Sequence, residues 1–74
     1  MTEEQIVELC AEGVHEQWVA TKLKQGIVSR PSSCGVEQMV PYDQLPEHIK
    51  ELDRVTVRAT VRILAVNGLL AVER

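Results

Sequence analysis

The sequence predicts a small, mainly α domain, α+β at most, in which helices flank a short strand pair. Two observations carry this expectation: a capped amphipathic segment over residues 2–25, and a helix start set by Pro46 after a second proline, Pro41. A third stretch, residues 54–67, satisfies the local rules for a strand and for a helix, and it decides how far the α content reaches.

The first helix begins at Thr2-Glu3-Glu4-Gln5, which has the Thr-x-x-Gln form of a capping box, with two acids where the helix dipole favours negative charge. At 100° per residue Ile6, Val7, Cys10, Ala11, Val14 and Trp18 share one side, the stripe of a helix lying on a core, while Glu8, Glu12 and Glu16 fall mostly away from it. Gly13 weakens the middle by up to about 1 kcal/mol relative to alanine. Lys22 and Lys24 followed by Gly26 are a C-terminal signature, so the helix is expected to end near Gln25.

Residues 27–38 hold Pro31, two serines and Gly35 between short apolar pieces, which predicts a loop with a little strand at each end. Ile27-Val28 and Met39-Val40 are the candidates for a minimal hairpin, marginal unless helices cover one face. Pro41 keeps Val40 extended, and Pro46 suits a first helical position, so residues 39–54 read as strand, tight turn and short helix.

From Arg54 to Ile63 polar and apolar residues alternate and β-branched residues abound, the pattern of a strand. The same residues also place Val57, Val61, Leu64 and Ala65 on one helical side, with Asp53 available as a cap and Asn67-Gly68 as a stop. As a helix the segment has a second apolar side, Val55, Ala59, Ile63 and Val66. That side would meet Leu69-Leu70-Ala71-Val72 or a second copy of the chain in a homodimer.

Seventy-four residues make one domain, 1–74, and bury only about 60% of the unfolded surface, so association is a natural source of extra stability. The formal charge of −3 argues against general nucleic-acid coating, which needs a clustered cationic surface. Cys10 and Cys34 are too few for a secreted disulfide scaffold, the acidic N-terminus is unlike a secretory signal, and no apolar run approaches a membrane span. These features predict a cytoplasmic location with free thiols and no membrane partner.

The combination Ala11-Glu12-x-x-His15-Glu16-x-Trp18, Lys22 and Gly26, Val40-Pro41-Tyr42-x-x-Leu45-Pro46-Glu47, Asp53-Arg54-x-Thr56 and Leu64 before Gly68 resembles the ryanodine receptor repeat (RyR) domain across nearly the whole chain. That domain occurs in tandem in the cytoplasmic part of ryanodine receptor channels and as small stand-alone modules in bacteria and phages, and the present chain resembles such a prokaryotic or phage member. The resemblance implies about three helices with a short β-hairpin between the first and the later ones, and it tips residues 54–67 toward helix. It also implies a binding module without catalysis or cofactor, and, since the channel's repeat region is associated with adenine nucleotides, a nucleotide-derived anionic ligand. The sequence departs from the family where an aromatic directly after the glycine and a Tyr-Gly soon after are usual: Gly26 is followed here by Ile27-Val28-Ser29-Arg30.

His15, Trp18 and Lys22, at spacings of three, four and seven, line one strip of the first helix. Stacking on Trp18, a hydrogen bond from His15 and charge from Lys22 are what a purine with a phosphate needs. The competing reading makes Trp18 the tryptophan of the core, with His15 tied to Tyr42 or to a backbone carbonyl. Tyr42, Arg54 and Arg58 complete the candidate ligand-binding set. Arg54, Arg58 and Arg62 form a ridge suited to a phosphate or an acidic partner, or else to pairing with Glu47 and Glu51. Cys10, His15, Cys34 and His48 show no metal-ligand spacing, and no acid or oxyanion motif accompanies a cysteine–histidine pair, so neither metal nor enzymatic activity is expected.

Overall fold

The computed structural model describes residues 1–72; Glu73 and Arg74, counted in the single domain expected over 1–74, lie outside the described residues. Two helices, α1 (Glu3–Lys24) and α2 (Glu47–Val66), pack antiparallel, joined by a connection that carries a 3-10 turn at Tyr42–Gln44. The expected mainly α class holds, with two helices instead of about three, and no strand is present among the described residues.

Both ends of α1 follow the residue chemistry. The Thr2 hydroxyl accepts the Gln5 N–H at 3.2 Å while the Gln5 side chain accepts the Thr2 N–H at 2.9 Å, closing the capping box. At the other end Gly26 takes φ +77°, which lets Gly26 N–H reach the Leu23 carbonyl and Ile27 N–H reach the Lys22 carbonyl, both at 3.0 Å.

The merging of the two later helices is a correction with a simple cause. Between Glu47 and Val66 there is neither glycine nor proline, so the turn started at Pro46 propagates without interruption through residues 54–67. Pro46 is the residue just before the helix, not its first turn, and its carbonyl accepts from Ile49 and Lys50. Asp53 is accordingly interior to α2 and caps nothing. The helix ends like α1, with Gly68 at φ +71° and Leu69 N–H bonded to the Leu64 carbonyl at 2.9 Å.

The expected pairing of Ile27-Val28 with Met39-Val40 does not form. An antiparallel bridge links Pro31 and Glu37 instead, inside the expected hairpin. Pro31 has no N–H to extend a ladder, and the Glu37 carboxylate takes the donors that a ladder would have used: it accepts from Arg30 N–H at 2.8 Å, Met39 N–H at 2.9 Å and the Ser29 hydroxyl. These bonds hold Glu37 below the usual carboxylate range, the Ser29 hydroxyl first among them.

The core consists of Val7 and Ala11 from α1, Tyr42 and Leu45 from the connection, and Ile49, Val57 and Val61 from α2, with Ile6, Val36, Val40, Leu70 and Val72 packed against it. The most buried line of α1 is Val7, Ala11 and His15, rotated by roughly 60° from the apolar stripe read from the sequence, so Cys10 and Val14 are exposed. The rotation has two causes: α2 covers one flank of α1, and the Val40–Leu45 segment covers the other. Cys10 and Cys34 are both unbridged.

Three arginines bind the helices together. Arg54 places its Nε and Nη2 on the two Glu8 carboxylate oxygens at 2.7 and 3.1 Å, Arg58 reaches Glu4 at 3.4 Å, and Arg62 reaches Glu3 at 2.7 Å. Glu8, which falls mostly away from the apolar stripe, nevertheless faces α2, where an arginine recurs every four residues.

Candidate functional site

A cleft of about 280 Å³ opens where α1, α2 and the connection meet. Helix α1 contributes Val14, His15 and Trp18, α2 contributes Ile49, Leu52 and Asp53, and the loop contributes Arg30 and Gln38. The helical spacing of three puts His15 and Trp18 on one strip of α1, and the Glu37 carboxylate ties the two arms of the loop together by accepting from the backbone N–H groups of Arg30 and Met39.

His15 is buried, and its Nε2 lies 2.7 Å from the Val40 carbonyl oxygen, to which it donates; this anchors the connection to α1. Its ring stacks on Trp18 with centroids 5.8 Å apart and planes 28° apart, and sits tilted to Tyr42 at 6.1 Å. Lys22 stands over the Trp18 ring, its Nζ 6.0 Å from the centroid. Trp18 itself is only partly buried, so part of its surface borders the cleft.

Four of the expected ligand-binding residues, His15, Trp18, Lys22 and Tyr42, are thus linked in one aromatic and cationic chain. Of the expected set, His15 and Trp18 line the cleft, whereas Lys22, Tyr42, Arg54 and Arg58 do not; the two arginines are held in ion pairs, Arg54 with Glu8, Glu47 and Glu51, and Arg58 with Glu4 and Glu51. Tyr42 touches both groups. Its buried hydroxyl has no hydrogen-bond partner among the described residues, and burial together with the neighbouring Glu8 carboxylate pushes the phenol up to about 12. Lys50 lies 5.1 Å from the Tyr42 ring centroid on its other flank.

Two cleft residues were not legible as such in the sequence. Arg30 carries a guanidinium with no partner among the described residues, and no local pattern in the sequence places its loop. Asp53 is half-buried and makes no hydrogen bond or ion pair among the described residues; burial raises its carboxyl above the ordinary value, and attraction to His15 opposes that in part. A helix-capping role had accounted for Asp53, so nothing marked it as part of a cleft.

Beside this cleft, between α1 and α2, runs a wider apolar groove of about 440 Å³, lined by Ile6, Cys10, Val14, Val57, Val61 and Leu64 among others, and Asp53 borders it as well. No helix among the described residues is long and apolar enough to cross a membrane.

The family model of the RyR domain matches residues 1–73. The chain belongs to the RyR domain family. The match covers the capping box, the His15/Trp18 strip, the Tyr42 turn and the whole of α2, so the cleft of this RyR domain is built entirely from matched residues. Comparison with curated proteins and with solved structures returned no match.

Proposed function

We propose that this RyR domain is a non-catalytic cytoplasmic binding module whose cleft takes a nucleotide-type anionic ligand, acting as a sensor of that ligand or as a sponge for it. The observation that carries the reading is the pairing of a partly exposed Trp18 with the unpaired Arg30 guanidinium in one cleft. A purine stacks on the indole, while Arg30 and the nearby Lys22 neutralise the phosphate. The volume of about 280 Å³ is close to the lower bound for ligand pockets and suits a mononucleotide lying partly in solvent.

The test is a thermal-shift series on the purified protein with mononucleotides and cyclic nucleotides, because a ligand selective for the folded state must raise its melting temperature. Arg30→Ala is the informative variant. Its exposed side chain makes no hydrogen bond or ion pair among the described residues, so the free protein should melt as the unmodified one does while the ligand-induced shift disappears. A blank series with the unmodified protein would remove the reading.

A second reading, a homodimer that needs no small molecule, draws on the outer side of α2. Leu52, Val55, Ile63 and Val66 are 65%, 57%, 62% and 86% exposed and follow one another at helical spacing around Ala59. Paired with a second copy they would form the apolar centre of a self-complementary interface.

A further inference from the structure

We propose that Asp53 is the base-reading acceptor of the cleft, and that the ligand is a guanine nucleotide. This rests on the reading of the cleft as a nucleotide site and deepens it. Asp53 is an interior residue of α2, its carboxylate is half-buried, and among the described residues it accepts no hydrogen bond and makes no ion pair. The acids along the interhelical seam are matched by contrast: Glu3, Glu4 and Glu8 pair with arginines of α2, and Glu37 in the loop accepts from backbone N–H groups. A desolvated, unpaired carboxylate costs stability, and a charge that destabilises the free fold is expected where a ligand will pair with it.

The chemistry of the acceptor then selects the base. An ionised carboxylate only accepts, and its two oxygens match two adjacent donors. Guanine presents such a pair on its Watson–Crick edge, the N1–H and the 2-amino group. Adenine presents one amino N–H beside the N1 lone pair, which the carboxylate repels. Trp18 is indifferent to the choice because every base has a stacking face, and Arg30 sits in the same cleft with no partner among the described residues, available to pair with the phosphate.

The experiment compares GMP, IMP, which lacks the 2-amino group, and AMP by calorimetry on the unmodified protein and on Asp53→Asn. GMP is expected to bind roughly ten- to hundredfold more tightly than AMP, with IMP between them. Asp53→Asn should level or reverse that order, since an amide can serve adenine with one donor and one acceptor, and it should raise the melting temperature of the ligand-free protein. Equal or tighter binding of AMP by the unmodified protein overturns the inference while leaving a nucleotide site in place. An unchanged preference in Asp53→Asn, or a lowered melting temperature of the free variant, also overturns it, the latter by showing the carboxylate to be a structural partner. Absence of binding by all three nucleotides removes the inference together with the reading it rests on.

Discussion

Replacing Arg54 by methionine, which retains the apolar stem and removes the guanidinium, tests whether the interhelical ion pairs hold the two helices together. The side chain is largely covered and makes two N–H···O contacts to Glu8, at 2.7 and 3.1 Å, and one to Glu47 at 2.7 Å. Hydrogen bonds to charged groups contribute about 1.5–3 kcal/mol where they are dry. Here the Glu8 side chain is 45% exposed, so water screens the pair and about 1–2 kcal/mol is the reasonable expectation. The Glu47 contact, fully in solvent, adds little. For a domain of this size the loss corresponds to a melting temperature lower by about 10 °C.

The pH dependence has a definite sign. The Arg54 bond, more than any other effect, holds the folded-state Glu8 carboxyl below its ordinary 4.5. A carboxyl depressed on folding contributes stability that is complete above the unfolded value and is lost as pH falls through the folded one. The stability gap between the unmodified protein and Arg54→Met should therefore be constant at neutral pH and shrink below about pH 4.5. Urea denaturation of the two single variants Arg54→Met and Glu8→Gln and of the double variant, at pH 7 and in acid, measures the coupling directly. A coupling below about 0.5 kcal/mol at pH 7, or a gap that persists fully in acid, would refute the reasoning.

Two other outcomes are expected. The Tyr42 phenol, lifted from 10.0 to about 12, should titrate late in the folded protein, and its contribution to stability, complete below pH 10, should fade as pH rises toward 12; ultraviolet absorbance of the phenolate in native and denaturing buffer checks the order. If α2 pairs with a second copy, the unmodified protein should sediment as a dimer and Ile63→Asp as a monomer with unchanged helicity; a monomeric unmodified protein discards the dimer.

The helix ends were the most legible features, because each depends on residues that touch one another in sequence. Thr2 and Gln5 complete a capping box whatever lies beyond them, and Gly26 and Gly68 each terminate a helix by taking a backbone angle that a side chain would strain. The single continuous α2 was less legible. Arginines at 54, 58 and 62 are spaced by four, a multiple of the strand period of two and also close to one helical turn, so the alternating pattern fits both. The residues opposite them decide the matter: Glu8, Glu4 and Glu3 on α1 make the spacing of four useful only when the segment coils.

The cleft was half legible. His15 and Trp18 share a strip by helical geometry, but Arg30 joins them only because Glu37 ties the loop in place, and Asp53 only because α2 starts early and turns that position inward. The sequence alone determined the class of the domain, the ends of α1 and the family, all properties of short-range pairs and their order. The tertiary structure alone decided the length of α2, the absence of a hairpin and the membership of the cleft. Those depend on contacts across dozens of residues, where packing and charge pairing outweigh the local preferences of the chain.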